Sequence, residues 1–234
     1  MGYTRRTILR VTGIGMASLA GCLGGSSGAV SDIETPTGPV SSAPVPQTPA
    51  NYRYAVAGSG ESDLTVTYFG SWKCPHCARF STGFLEDLVT EYVAPGRIDL
   101  VFRCLAYANG QGFLGPDAPD AARAGLAVWN AEPQSYWRYH ETVMQNQPSE
   151  GKEWATADNL VAFAKAAGVS ATDAVRTAVS EERYESLLTA TTEQATKLGV
   201  QGTPTLVIGD QLVSPLGDNG PDRIRQVIEQ ALSD

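Results

Sequence analysis

The stretch "LTVTYFGSWKCPHCARF", residues 64–80, decides how the rest of the chain is read. Leu64 to Phe69 are β-branched and aromatic, which predicts a strand. Cys74 and Cys77 follow, separated by Pro75 and His76. Beyond them Phe80, Phe84, Leu85, Leu88 and Tyr92 recur at helical spacing until Ala94-Pro95-Gly96 stops the run. Pro75 fits the first helical position, where its missing N–H costs nothing. Cys74 therefore stands where strand gives way to helix. The positive end of the helix and its free N–H groups lower a thiol's pKa there. Lys73 and a partly protonated His76 are expected to add to this. Cys77, three residues on, shares a face of the first turn and lies close enough to pair with Cys74. The expected arrangement leaves Cys74 exposed and reactive and Cys77 shielded.

Three other uses of such a pair have to be weighed. A structural zinc ion needs about four ligands. The chain adds only His76, His140 and Cys104, with no second CxxC. Two thiolates suffice for Cu(I), so a copper-delivery protein is a rival reading. A structural disulfide in this spacing closes a very small ring and constrains little of the unfolded chain.

Working outward, "IDLVFRCL" (98–105) predicts a second strand, and strand–helix–strand suggests a right-handed unit with parallel strands. From about 112 to 197 the pattern is helical with no convincing strand. One of these helices is expected to start at Thr156 as N-cap and to end at Gly168. "TPTLVIGDQLV" (203–213) returns to strand character, with a hairpin turn at Gly209-Asp210, and "DRIRQVIEQAL" closes the chain as an amphipathic helix. The expected fold is α/β: βαβ, an inserted all-helical subdomain over about 112–197, then ββα.

The N-terminus reads as an address. Residues 1–21 carry Arg5, Arg6 and Arg10, an uncharged run and small residues, the parts of an export signal. Arg5-Arg6 resembles a twin-arginine motif. "LAGC" (19–22) resembles a lipobox that makes Cys22 a lipid-modified first residue. Residues 22–50, rich in Pro, Gly, Ser and Thr, read as a disordered tether, so the folded domain is expected over 51–234. The 234 residues carry 17 basic and 25 acidic side chains. Without residues 1–21 that becomes 14 against 25, which argues against a nucleic-acid surface or an anionic-membrane patch. With only four lysines, the composition is of the halophile kind, and an archaeal exported lipoprotein is the expected source.

Three features together resemble the DsbA-type branch of the thioredoxin superfamily: "CPHC" (74–77) at a strand-to-helix junction, "GTPT" (202–205) before a later strand, and a helical insertion between them. The resemblance covers roughly residues 52–232. It implies a thioredoxin-like fold with a cis Pro204 whose loop lies against the CxxC, and a Thr203 backbone that pairs with an extended substrate peptide. It also implies a dithiol oxidase without a cofactor or metal. In that cycle Cys74 is attacked, Cys77 resolves, Pro75 and His76 complete the catalytic motif, and His76 with Lys73 sets the potential. The partners it implies are unfolded, reduced exported proteins and a membrane quinone-linked thiol oxidase. The protein is expected as a monomer, held outside the cell by its lipid alone. A reductase or isomerase on the same scaffold is the rival within the class. Many relatives place acids three and six positions before the first cysteine, where this chain has Ser71 and Tyr68. That loss favours the Cys74 thiolate and leaves the acceptor for the Cys77 proton unassigned, with water as one candidate.

Other residues read more plainly. Trp72, beside the motif, is expected to face substrate. Cys104 in its strand reads as a small buried hydrophobe, and His140, on a stripe with Tyr136, Trp137, Val143 and Met144, as a packed core histidine. "GQGFLGP" (110–116) lacks the strand and lysine of a phosphate loop and reads as a connection into the helical block.

Overall fold

The computed structural model describes residues 30–217 and 219–233. Arg5, Arg6, Arg10 and Cys22, with the signal and lipobox readings that rest on them, lie outside the described residues.

The central sheet has five strands in the order β1-β3-β2-β6-β7. β2 (Thr65–Gly70) and β3 (Asp99–Cys104) are parallel, with Thr65 opposite Asp99 and Gly70 opposite Cys104. β1 (Ala55–Ala57) runs antiparallel on the outer edge of β3. β6 (Thr205–Ile208) is antiparallel to β2, and β7 (Gln211–Val213) hairpins onto it through Gly209 and Asp210. The turn places Gly209 at φ 58°, a conformation that suits a residue without Cβ.

The run after Cys74 is broken in two. α1 (Pro75–Ser81) ends at Thr82-Gly83, α2 (Phe84–Leu88) follows, and a π-helical turn at Val89–Val93 completes it. Apolar spacing alone read one helix here. Gly83, at φ −144° and ψ −107°, changes direction while keeping Phe80, Leu85 and Leu88 on the buried side. Sequence reading also missed β1, three residues long, and the two-residue strands β4 (Tyr107–Ala108) and β5 (Gln111–Gly112). Strands this short carry too little alternation to be visible.

The insertion is α3 (Ala118–Ala131), α4 (Tyr136–Asn146), α5 (Ala157–Ala166), α6 (Thr172–Ser180) and α7 (Glu185–Leu198). Thr156 caps α5 by accepting from the Asn159 N–H, 3.3 Å. α8 (Gly220–Ala231) closes the fold and buries Ile224, Val227 and Ile228. Insertion and sheet share one core. Trp137 Nε1 donates to the Val56 carbonyl on β1, 3.1 Å, and Trp129 Nε1 to the Tyr52 carbonyl, 2.9 Å.

Within the tether expected over 22–50, residues 30–50 are ordered against the domain, which corrects that reading for this part. Val40 is fully buried, and Pro36, Ala43 and Pro46 are buried with it. The Glu34 N–H donates to Asn146 Oδ1 while Asn146 Nδ2 returns a bond to the Glu34 carbonyl, both 2.8 Å. The Gly58 N–H bonds the Pro44 carbonyl, 2.8 Å. The segment cannot build a core of its own, as its composition says. Its small apolar side chains fit an existing surface, and its prolines lower the entropy lost on docking.

Candidate functional site: a buried dithiol under a cis-proline loop

Cys74 is the N-cap of α1, extended at φ −85° and ψ 119°, with Pro75 at the first helical position. Its own N–H bonds the Ser71 carbonyl, 3.1 Å, and its carbonyl starts the helix ladder at Ala78, 3.1 Å. Cys77 lies one turn inside and is fully buried. Both cysteines are free, with no disulfide between them, in this structure. Cys74 is itself only 3 % exposed. The expectation of an exposed helix tip fails because a second loop covers it. That loop contains the Thr203–Pro204 peptide, which is cis, and the Cys74 thiol donates to the Thr203 carbonyl at 3.4 Å. The bond spans 129 positions of the chain and is made by the entry into β6 beside β2.

The two sulfurs are driven apart electrostatically. The Cys74 pKa falls to about 5. The largest cause is the Cys77 thiol donating to it; the Thr203 hydroxyl and the N–H groups of Cys77 and His76 add to this, against the opposing effect of burial. Burial, followed by the neighbouring Cys74, pushes the Cys77 thiol well above its ordinary value. One cysteine is therefore held as thiolate at neutral pH while its partner keeps its proton. The Ser71 N–H points at Cys77 Sγ, 3.4 Å.

The flanking residues divide differently from the sequence expectation. Lys73 was expected to tune Cys74 by its charge. Instead its side chain is fully buried and turned away, with Nζ on Asp117 Oδ1 and on the Lys152 carbonyl, 2.8 Å. Asp117 Oδ2 also accepts the Ala155 N–H, 2.8 Å, so the pair ties the residue before Cys74 to the start of the insertion. His76 and Pro75 are exposed; the His76 ring pairs through Nδ1 with Arg79, while its backbone N–H serves Cys74. Trp72 was expected to face substrate and does not. It is 1 % exposed, edge-on to Phe102 at 5.6 Å and against Tyr139 and His140 at 5.3 and 5.1 Å. A side chain that large before the motif is worth more as the joint between sheet and insertion than in water.

His140 is buried, its Nε2 3.1 Å from Ser81 Oγ, and burial lowers its pKa to about 3. Cys104 is half-buried at the end of β3, and burial raises its thiol to about 12. Among the described residues no three His, Cys, Asp or Glu side chains group as a metal ion would require. Beside the dithiol, His76, Arg79, Phe80, Phe84, Pro215, Leu216 and Gly217 line a groove of about 320 Å³.

A family model described as thioredoxin matches residues 51–230. The chain belongs to the thioredoxin family. Among its relatives is the disulfide bond formation protein D of Bacillus subtilis, 27% identical over 177 residues, 76% of each chain. A probable protein of the same name from Bacillus cereus is 26% identical over 68% of this chain and 71% of its own. The crystal structure of BdbD from B. subtilis in its oxidised form superimposes with a TM-score of 0.70 at 25% identity, over 83% of this chain and 99% of that one. Chlamydia trachomatis DsbA shares the fold at a TM-score of 0.64 and 22% identity, over 80% and 96%. The helical insertion between the CxxC and the cis-proline loop places this thioredoxin with the DsbA-type members. Two elements of this thioredoxin site, Asp117 and Ser81, escaped the sequence, and Tyr68 was noted for its position six residues before Cys74 but not for its hydroxyl. Tyr68 could also be read as an inward position of a strand, whereas Asp117 and Ser81 carried no signal.

Proposed function

We infer that the protein is a thiol:disulfide oxidoreductase that works outside the cytoplasm as a dithiol oxidase, passing the Cys74–Cys77 disulfide to exported proteins. The observation that carries the direction is the split between the two sulfurs, with Cys74 drawn down to about 5 beside a Cys77 that holds its proton. Stabilising the thiolate stabilises the reduced form, and a stable reduced form makes its disulfide a strong oxidant.

The cycle follows from position in the first step, where Cys74 at the start of the helix is attacked rather than the deeper Cys77, and from leaving ability in the second, where Cys74 is the lower-pKa thiol. A client thiolate attacks Cys74 Sγ, the Cys74–Cys77 bond breaks, and Cys77 leaves and takes a proton. The client's second thiolate attacks the client sulfur of the mixed disulfide and expels Cys74 as the stable thiolate. The client is oxidised by two electrons and the dithiol is reduced. Thr203 at the cis peptide, beside Cys74, is the element against which an extended client strand pairs. The groove past His76, with Leu216 46 % exposed, takes the client's apolar side chains. A quinone-linked membrane thiol oxidase then withdraws the electrons, with the protein held near it as a monomer by a lipid on Cys22.

Trapping tests the reading. Cys77→Ala removes the resolving thiol, so mixed disulfides between Cys74 and reduced clients accumulate and are seen as reducible adducts by mass. A reduction potential near about −270 mV, thioredoxin's own, would instead assign the protein to reduction and overturn the oxidase direction.

A further inference from the structure

Each sulfur of the dithiol has beside it a buried hydroxyl with no hydrogen-bond partner: Thr203 Oγ1 next to Cys74 and the Tyr68 hydroxyl next to Cys77. Buried polar groups are rarely left unpaired, and each one calls for a reason. For Thr203 the reason is plain, because its hydroxyl becomes a donor as soon as Cys74 is a thiolate. The same logic applies one turn deeper. Tyr68 projects inward from β2, edge-on to Phe80 and Phe102 at 5.0 Å each, which fixes the ring. Its hydroxyl lies between Cys77 and Ser81, one turn further along α1. Ser81 Oγ is held in turn by His140 Nε2, 3.1 Å away on α4.

We propose that Tyr68 is a catalytic residue: with the Ser71 N–H, its hydroxyl donates to the Cys77 thiolate each time that sulfur attacks or leaves, in a chain that has no acid at this position. The inference rests on the thiol–disulfide exchange proposed above and adds the group that lets the buried sulfur carry charge. A donor aimed where charge appears costs no reorganisation at the moment of reaction. In the dithiol state the hydroxyl is idle, as observed. Tyr68 remains a donor over the working range because burial pushes its own pKa well up. The groups facing Cys77 are Cys74 from the start of α1, the Ser71 N–H from the loop after β2, the Thr203 hydroxyl from the cis-proline loop, and Tyr68 itself. His140, behind Ser81, stays neutral at working pH. Lys73, the nearest cation in sequence, is turned to Asp117.

The step to measure is resolution of a glutathione adduct. Reduced protein meets oxidised glutathione, the Cys74 thiolate takes one glutathionyl group, and one glutathione leaves. The Cys77 thiol then loses its proton to water and attacks Cys74. The Cys74–Cys77 bond forms, and the second glutathione leaves as a thiolate and is protonated. Tyr68→Phe keeps the ring and its packing and removes only the hydroxyl. In quenched flow with mass detection from pH 5 to 9, we expect the adduct on Cys74 to form as in the parent. Its resolution should slow about 10- to 100-fold, the range of a hydrogen bond to a charged group, with the rate-against-pH curve displaced upward by about one to two units. A purely structural role for Tyr68 would not displace that curve. Resolution at the parental rate with the parental pH curve overturns the proposal. If Tyr68→Phe does not fold, Ser81→Ala, which removes the hydroxyl on the other side of the phenol from Cys77, is expected to shift the curve the same way by less, and an unshifted curve overturns the proposal. If the parent itself forms neither adduct nor disulfide, the exchange reading fails, and this inference with it.

Discussion

Two pairs of titratable side chains sit close together on the α1–α2 face of the molecule, and a buried member of each is driven in an opposite direction, Cys74 toward charge and Glu141 away from it. At Cys74 and Cys77 one group is driven far toward its charged form. Under the N-terminal segment, Glu141 lies against Glu86, with both carboxylates close to Gly38. There burial and then the neighbouring Glu86 raise the Glu141 pKa to about 7, against weaker help from Ser41. Burial opposes charge in both regions. What differs is the supply of donors. Cys74 is met by a thiol, a hydroxyl and two N–H groups at the start of a helix, whereas one carboxylate oxygen of Glu141 has no partner. A buried group ionises when the donors around it outweigh burial and its neighbours' negative charge, and keeps its proton when they do not.

The hardest way to break the contrast is to unpair the buried ion pair behind the dithiol. Asp117→Ala leaves the Lys73 ammonium buried without its carboxylate and frees the Ala155 N–H, so a loss of about 3–5 kcal/mol is expected in urea unfolding. A loss below about 1 kcal/mol would mean that the pair is solvated and does not hold the insertion to the motif.

Next in size is the redox signature of the Cys74 thiolate. Below the Cys74 pKa reduction takes up two protons; above it only one. The potential should therefore fall by about 59 mV per pH unit below a break near pH 5 and by about 30 mV per unit above it. Thr203→Val removes one donor without changing shape and should raise the break by about one unit. A single slope from pH 4 to 8 would refute the assigned split. The same shift bears on folding. Because the folded Cys74 pKa is depressed, the stability it gives the reduced protein is fully present above the unfolded thiol pKa. That stability is partly lost by neutrality and disappears as pH falls through about 5. Reduced protein should lose melting temperature against oxidised protein between pH 7 and pH 5.

The smallest effect belongs to the carboxylates, with the sign reversed. The folded pKa of Glu141 is raised, so its contribution is fully present below the unfolded carboxylate pKa and is lost as pH rises through about 7. Glu141→Gln should leave the melting temperature nearly unchanged at pH 4 and raise it at pH 8, at about 2–4 °C for each 1 kcal/mol recovered. An equal shift at both pH values would show that the carboxylates are not coupled.

How much of this was legible in the chain differs by element. The strand, the CxxC and the helix start were readable because a run such as Thr65–Gly70 and a proline after Cys74 express local preferences within a few residues. The five-helix insertion was readable from its spacing, and the cap at Thr156 from its residue type. Lys73, Trp72 and residues 30–50 were misjudged for a common reason. A lysine, a tryptophan and a proline-rich segment take their roles from what faces them: Asp117, the Phe102–His140 cluster and the α4 surface.

The sequence by itself determined that two thiols stand at a strand-to-helix junction, the first at the positive end of a helix and the second one turn inside. That much needs only backbone geometry and residue chemistry. Tertiary structure alone decided how far the thiols differ. It brought Thr203 across 129 positions onto Cys74, set Tyr68 and the Ser71 N–H beside Cys77, and turned the Lys73 charge away to Asp117. Donors and charges act over a few ångströms, and which ones arrive within that distance is fixed by packing, not by neighbours in the chain.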